Sequence, residues 1–242
     1  MPVSTAVILP KLVPTILDGT ASVRKQLLKF LAELPDSDVA NHVDTALLYI
    51  RAGMTHLASE IRDDAVATLA WLLEAADTHV VECAGGWVKT LNAFMSMMGW
   101  AVNSEKTKWS SASKASFGKG GKSFPKQMAV LAQFLRVGLS EAVAVSTKST
   151  SCWPLCDVEA HVVSTKRNPY AYLNLSTVPR DEETEMYNER EARQRTFRKL
   201  FEPSVEKGIK NGLKEAGENG RMAAILKQTV VEGMADYGGI DY

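Results

Sequence analysis

The residues best suited to chemistry in this sequence are two cysteines and a histidine that lie close together. Cys152 and Cys156 are followed five residues later by His161, and thiolates and imidazoles are ligands that zinc accepts. The set supplies only three ligands, and its spacing matches none of the common zinc-finger patterns. Two interpretations stay open: an incomplete zinc site, or a loop with two partly buried thiols. The chain has three cysteines in all, too few for a disulfide framework, which indicates a reducing compartment.

Other patterns that could carry catalysis are incomplete. Residues 118–123 read Gly-Lys-Gly-Gly-Lys-Ser, but they lack the preceding buried strand and the spacing of a Walker phosphate-binding loop. His42, His56 and His79 have no partner at metal-ligand spacing, and no nucleophile elbow or zinc-protease motif occurs. The carboxylates are spread over helix faces, with no pair marked for acid–base work. We therefore expect a protein that is not an enzyme and holds no cofactor or metal.

One locally basic segment, 103–126, stands out in composition. It is rich in Ser, Gly and Ala, has the single acid Glu105, and interleaves Trp109, Phe117 and Phe124 with lysines. Such a segment is too poor in aliphatic residues to repay its ordering entropy, so we expect a flexible insertion. Lysines with interleaved aromatics are typical of chains that track phosphates and stack bases, which makes RNA contact one interpretation and a solvated insertion the other. The candidate RNA contacts are Lys106, Lys108, Lys114, Lys119, Lys122 and Lys126.

Overall composition is that of an ordinary globular protein. The formal net charge is zero and 45% of residues are hydrophobic, so no global field favours nucleic acid or an anionic membrane. No apolar run approaches the roughly 20 residues that a transmembrane helix needs. We expect no membrane association.

The elements that position these residues are indicated by a repeat. Val23-Arg24, followed by an apolar stripe at helical spacing, returns about 38 residues later as Ile61-Arg62 with a stripe in the same register. A period of this size, with alternating helices and turns and no strand-like alternation, is typical of HEAT and armadillo arrays. The sequence therefore predicts an all-α fold: a short HEAT/armadillo-like solenoid with C-terminal helices that pack back on the array.

The two arginines of the repeat have a structural interpretation. Arg24 and Arg62 occupy the same register, so they can pair with Asp18, Asp63 or Asp64 in a ladder between repeats. The alternative is a pair of solvated surface charges worth about 0–1 kcal/mol each. The repeated register favours the ladder.

The pattern along the chain predicts three regions: HEAT-like repeats in 1–102, the basic insertion in 103–126, and further helices in 127–242 with an irregular connection at 146–179. Predicted helices cover 3–17 (bent by prolines), 23–34, 39–52, a segment capped by Thr55 that buries Ile61 and Ala65, 80–98 with a turn at Gly85-Gly86, 124–139, and 222–234. Mixed charges at i,i+4 spacing predict a mostly solvated helix over 181–199.

Several landmarks together resemble one family. They are Val23-Arg24, the stretch from Met54-Thr55-His56-Leu57 to Ile61-Arg62-Asp63-Asp64, the segment Trp87 to Asn92 that leads to Gly99-Trp100, and Arg167-Asn168-Pro169-Tyr170. This set is similar to the Ipi-one family of pre-rRNA-processing proteins, which is related to the N-terminal domain of animal testis-expressed protein ten. The resemblance runs from near residue 9 to beyond 205.

The resemblance implies a nuclear, non-enzymatic scaffold subunit of the Rix-one complex. Its implied companions are the Rix-one subunit and the WD40 subunit Ipi-three. The complex joins the pre-60S particle in the nucleoplasm and nucleolus and engages the midasin AAA ATPase. It supports processing of the second internal transcribed spacer. Family members are also linked to chromatin. A generic HEAT adaptor in chromatin or nuclear transport is the alternative.

Two further expectations follow. Asn168, Pro169 and Tyr170 are candidates for partner docking, because proline fixes a turn and a buried tyrosine needs a partner for its hydroxyl; the same residues could instead close the array on itself.

Family members usually carry a basic N-terminal extension and another repeat, so this chain is expected to be truncated or a short member. The apolar residues Val7, Leu9, Leu12 and Val13 should then be partly exposed.

Overall fold

The computed structural model describes residues 5–35, 39–100, 123–140, 181–215 and 217–238. These residues form helices and turns, with no strand among them, so the predicted all-α class is confirmed. The helices are α1 (Thr5–Leu12), a short 3-10 helix (Val13–Leu17), α2 (Ala21–Leu31), α3 (Val43–Met54), α4 (Ser59–Ala76), α5 (His79–Glu82), α6 (Gly86–Met98), α7 (Phe124–Leu139), α8 (Arg190–Leu200), α9 (Glu202–Gly212) and α10 (Glu218–Met234). None of the described helices is long and apolar enough to cross a membrane.

The N-terminal helices bury more than the sequence predicted. Pro10 lies inside α1, and Pro14 is in the first turn of the 3-10 helix, where a missing N–H costs nothing. The 3-10 helix packs on α3, so Leu9 and Val13 are only 1% exposed. The expectation that these two residues would be partly exposed is therefore wrong, whereas Val7 is 53% exposed.

Helices α3 and α4 form an antiparallel pair with a close backbone approach. A Cβ at Gly53 would lie 2.7 Å from the Cβ of Ala65, so this contact needs a glycine. The expected inner face of α4 is buried, namely Ile61, Ala65, Leu69, Leu72 and Leu73. Thr55 does not cap α4 as predicted: its hydroxyl donates to the carbonyls of Arg51 and Ala52 at the end of α3, and Ala58 is the N-cap residue.

The predicted turn at Gly85-Gly86 is confirmed and separates α5 from α6. Gly85 has φ +68°, in the left-handed region that glycine enters without strain. A Cβ at Gly86 would lie 2.3 Å from the carbonyl oxygen of Val80, so the two helices can meet only with glycine there. The apolar helix that follows carries Trp87 into the core, where it is fully buried.

Helix α7 is the centre of the described structure and has the predicted bounds. It contacts α4, α6, α8 and α10, and its inner side chains Met128, Leu131, Phe134 and Leu135 are fully buried. Because α7 begins at Phe124, the last residues of the predicted basic insertion are helical rather than flexible. Lys126 is exposed in the first turn of α7.

The charged segment 181–199 departs from the prediction. Only its second part is helical, because α8 begins at Arg190. The preceding residues form turns, in which the Tyr187 hydroxyl donates to the Glu182 carbonyl at 2.9 Å. The face of α8 that was expected to be solvated includes Arg193, 5% exposed, and Gln194, 2% exposed. Carbonyl groups of other elements bind these polar side chains, which permits their burial.

Candidate interaction scaffold and the arginines that hold it

Arg24 joins three elements at the N-terminal end of the described helices. Its side chain is buried on α2, and its Nε donates to Asp64 Oδ2 of α4 at 2.7 Å. Its Nη1 donates to the carbonyl oxygen of Asp18, in the turn before α2, at 2.6 Å. Its Nη2 forms no hydrogen bond and lies 4.0 Å from Glu60 Oε2. A buried guanidinium is tolerated only with such partners, so the contact fixes how α2 sits on α4.

Arg62 makes a related contact at its own turn. Its Nη1 donates to the carbonyl oxygens of His56 and Leu57 at 2.8 and 2.7 Å. The amide of Ala58 donates to Nδ1 of His56 at 3.1 Å. The turn between α3 and α4 is thus held by side chains from both of its ends.

Arg193 is the most extensively bonded of the buried cations that the structure describes. Its Nε donates to the carbonyl oxygen of Gly138 at the end of α7, at 2.8 Å. Its Nη1 donates to the carbonyls of Tyr187 and Asn188 at 2.7 and 2.9 Å, with Glu82 Oε1 at 3.9 Å. Burial lowers the pKa of the Arg193 guanidinium, and the Glu82 carboxylate opposes that shift. The side chain thereby ties α8 to α7 and to the turn before α8.

The three arginines share one geometry. Each is the fourth residue of its helix, and each donates from Nη1 to a carbonyl six residues earlier, in the turn that leads into that helix. The sequence repeat identified the first two members, Arg24 and Arg62. It missed Arg193, because the buried apolar residue that follows it, Phe197, is displaced by one position from the earlier register. An apolar residue followed by arginine early in a helix (Val23, Ile61, Ala192) is the signal that could have found all three.

An aromatic cluster completes the junction between α6, α7 and α8. Trp87 stacks on Phe134 with ring centroids 5.2 Å apart, and Phe197 lies at 6.5 Å. The indole Nε1 donates to the carbonyl oxygen of Arg193 at 3.2 Å. A Cβ at Gly138 would lie 2.2 Å from Trp87 Cζ3, so the ring packs against bare backbone there. The buried indole nitrogen is thus satisfied, as a buried tryptophan requires.

Arg190, which is more exposed than Arg193, binds the C-terminal end of α10. Arg190 Nε donates to the carbonyl oxygen of Leu139 at 2.6 Å, and the guanidinium binds Asp236 bidentately at 2.5 and 2.7 Å. These hydrogen bonds hold the pKa of the Asp236 carboxyl below its usual range. Gln194 donates to the carbonyl of Gly233 at 2.7 Å. The end of α10 is therefore fastened to α7 and α8.

The chain is similar in sequence to proteins of one known family. Residues 37–135, from just before α3 into α7, match the family Ipi1_N, described as a Rix1 complex component involved in 60S ribosome maturation. The pre-rRNA-processing protein ipi1 of Sclerotinia sclerotiorum is 55% identical over 250 residues, which cover 100% of this chain and 72% of that protein. The chain belongs to the Ipi1 (Ipi-one) family. The resemblance of its landmarks to that family is confirmed.

Other Ipi1 relatives show similar coverage. The pre-rRNA-processing protein ipi1 of Aspergillus oryzae is 47% identical over 96% of this chain and 67% of its own length. The IPI1 protein of Chaetomium thermophilum is 43% identical over 99% of this chain and 71% of its own. The full-length similarity includes the C-terminal helices α8 to α10, which lie outside the range matched by the family description. The similarity to Ipi1 proteins therefore extends over the chain as a whole.

Most residues named as candidate contacts fall outside the described part of this Ipi1 chain. These are Asn168, Pro169 and Tyr170, the cysteine and histidine set Cys152, Cys156 and His161, and the lysines Lys106, Lys108, Lys114, Lys119 and Lys122. The predicted irregular connection at 146–179 also lies outside it. Those assignments stay predictions. Among the residues that the structure describes, no three His, Cys, Asp or Glu side chains come together as a metal site would require.

The points where the basic segment leaves and rejoins the described chain are close together. Trp100 and Phe124 meet edge to face, with ring centroids 6.4 Å apart. The Ser123 hydroxyl donates to Asp63 Oδ2 at 2.5 Å, which places the start of α7 beside α4. Trp100 in turn covers Gly208 of α9, where a Cβ would lie 2.2 Å from its ring. The residues at the two ends of this segment are thus held against the described helices.

A small polar cavity of about 220 Å³ lies between α3, α5 and the turn before α8. Asp44, His79, Glu82 and Cys83 contribute to its lining. Burial raises the pKa of the Cys83 thiol to about 12, and the neighbouring Asp44 carboxylate adds to the shift. Cys83 donates to the Val80 carbonyl at 3.4 Å. The thiol stays protonated at neutral pH and acts as a packing group.

Proposed function

We propose that this Ipi1-family chain is a non-enzymatic scaffold subunit of the Rix1 complex that acts in maturation of the 60S ribosomal precursor. The observation that carries the proposal is membership in a family described as a Rix1 complex component involved in 60S ribosome maturation, together with a relative that is similar over the full length of the chain. Within that role we assign it to processing of the second internal transcribed spacer, and to the nucleoplasm and nucleolus.

The architecture that fits this role is a short HEAT- or armadillo-like array. Support comes from the three arginines that bind the turn before their own helix in the same way, since repeat proteins re-use interface positions. The pair α3 and α4, joined by a short turn, fits the same architecture. An array of this kind presents extended surfaces on which several partners can bind at once.

The partners proposed are the Rix1 subunit and the WD40 subunit Ipi-three, with the pre-60S particle and the midasin ATPase engaged through the assembled complex. Asn168, Pro169 and Tyr170 are the proposed docking element of the chain. Co-expression of the tagged chain with both subunits tests this. We expect the three proteins to co-elute from a gel-filtration column, and elution of the chain alone would contradict the assignment.

Contact with rRNA is a second proposal, carried by one structural observation. The basic segment is fixed at both ends, through Trp100 and Phe124, and Lys126 is exposed where the chain re-enters the fold. A lysine-rich segment presented in this way can bind phosphates, with an affinity that falls steeply as salt rises. Replacing Lys114, Lys119 and Lys122 by glutamate should reduce crosslinking to rRNA, and unchanged crosslinking would remove the proposal. Replacing the three exposed lysines Lys207, Lys214 and Lys227 by glutamate is the charge-matched control.

A further inference from the structure

An open apolar groove of about 530 Å³ lies at the N-terminal end of the described helices, between the 3-10 helix and α2. Leu12 and Leu27 line its base, and Val23 and Phe30 stand at its mouth, 38% and 40% exposed. Single exposed apolar residues are ordinary on protein surfaces. Several that line one concave surface indicate a binding site.

The spacing of the groove residues suits a helical ligand. Val23, Leu27 and Phe30 are at i, i+4 and i+7 of α2, so they follow one side of the helix over two turns. That length is about 10 Å at the rise of an α-helix. A second helix laid along α2 can therefore insert apolar side chains at the same spacing, as in helix-in-groove recognition.

The residues around the groove carry a net positive charge. Lys11 lies in the last turn of α1 beside the lining residue Leu12, and Lys25 and Lys29 are next to Gln26 and Phe30 on α2; the single acid nearby is Glu33, three residues after Phe30. All three lysines are exposed, and none pairs with a carboxylate within the described residues. Unpaired cations around an apolar groove favour a ligand with acidic flanks, because complementary charge steers and orients binding.

We propose that this groove binds an amphipathic α-helix of a partner protein, with apolar residues at i, i+3 or i+4 and i+7 and acidic residues along the edge that meets Lys25 and Lys29. A second copy of this chain is disfavoured as the occupant. A two-fold contact through the same surface would bring the lysines of both copies together. The proposal adds a partner-binding surface to the scaffold and does not depend on which complex supplies the helix.

Photocrosslinking from inside the groove tests the proposal. The chain, tagged and carrying p-benzoylphenylalanine at position 26 in place of Gln26, replaces the endogenous relative in a filamentous fungus; the same group in place of exposed Glu74 on α4 is the control. We expect a cross-link from position 26, absent from position 74, to a peptide of another protein with the stated apolar and acidic pattern. Cross-links only within the chain or to a second copy, or to a peptide without that pattern, would overturn the proposal.

Charge reversal supplies the second arm. Lys25→Glu with Lys29→Glu should lower the yield of that cross-link at least threefold, whereas the matched pair Lys207→Glu with Lys214→Glu should leave it unchanged. Equal yields from the two pairs would contradict the assigned acidic flank. Should the first pair lower the thermal stability of the chain, the chain with p-benzoylphenylalanine at position 26 and both lysines intact is irradiated in cell extract at low and at raised salt instead. The cross-link yield must then fall as salt rises, and an unchanged yield would contradict the acidic flank. Co-purification of Rix1 subunits is measured separately, so failure of the groove and failure of the proposed function are distinguishable.

Discussion

Arg193 Nη1 donates a 2.7 Å hydrogen bond to the carbonyl oxygen of Tyr187, six residues earlier in the chain. Arg24 makes the same contact with Asp18 at 2.6 Å, and Arg62 makes it with His56 at 2.8 Å. Each arginine thus fixes the angle at which the chain enters a helix. The three differ in what else they bind, and that difference sets how much stability each contributes.

Replacing the three arginines by methionine should destabilise the protein in a definite order. Arg193→Met leaves three carbonyls without their donor in a buried site, so we expect a loss of about 3–5 kcal/mol in the free energy of unfolding. Arg24→Met should cost about 1–3 kcal/mol, since Asp64 can turn to water. Arg62→Met should cost about 0.5–1.5 kcal/mol, because the carbonyls that it binds lie in an exposed turn.

Urea denaturation measures this order. Arg195→Met, at an exposed position on the same helix as Arg193, is the control and should change stability by less than about 0.5 kcal/mol. An Arg62 variant as unstable as the Arg193 variant would contradict the assignment of Arg193 as the principal junction.

The bare backbone at Gly138 gives a second prediction. Gly138→Ala places a Cβ about 2.2 Å from the Trp87 ring, which must move out of its stack on Phe134. We expect a destabilisation of about 3 kcal/mol from this overpacking. Thermal unfolding and the near-ultraviolet signal of the buried tryptophan report it. Gly19→Ala is the matched control, because a Cβ at that glycine meets nothing within 4 Å; equal effects of the two variants would show that the packing at Trp87 is not the cause.

The Cys83 thiol predicts a loss of stability at alkaline pH. Its pKa is raised to about 12 in the folded protein, whereas a thiol in the unfolded chain ionises near its ordinary value. The contribution is fully present below about pH 8.5 and is lost as pH rises toward the folded pKa, at up to about 1.4 kcal/mol per pH unit. The free energy of unfolding, measured by urea denaturation between pH 8 and 11, should fall more steeply with pH for the parent chain than for Cys83→Ala. Parallel pH profiles would contradict the raised pKa.

Reactivity offers an independent check on the same thiol. In a Cys152→Ser, Cys156→Ser background, iodoacetamide at pH 8 should modify native Cys83 slowly, because the thiolate is the reactive form. Modification should become fast only once urea unfolds the chain. Rapid labelling of the native protein would show that the thiol is not held protonated.

Elements with a local signature were predictable from the sequence. The apolar stripe predicted the bounds of α7, and Gly85-Gly86 marked the break between α5 and α6, because glycine adopts the backbone conformation at Gly85 without strain. The repeated Arg24 and Arg62 register was also visible, since it needs no knowledge of distant contacts. Local patterns thus give the helices and part of the junctions.

Features that depend on distant groups were not predictable in this way. The dense charges of 181–199 indicated a solvated helix. Arg193 is nevertheless buried, because the Gly138 carbonyl at the end of α7, 55 residues away, accepts a hydrogen bond from its Nε. Leu9 and Val13 are covered because the 3-10 helix folds onto α3. In each case the deciding partner lies elsewhere in the sequence.

The measurement that tests the central proposal most directly is sedimentation of the tagged chain through a sucrose gradient, with a probe for the second internal transcribed spacer across the fractions. The account predicts that the chain travels with 60S precursors that contain this spacer, and that precursors with the unprocessed spacer accumulate when the Ipi1 relative is depleted without replacement. A chain confined to the light fractions, with normal spacer processing after depletion, would contradict it and favour a HEAT-type adaptor in chromatin or nuclear transport.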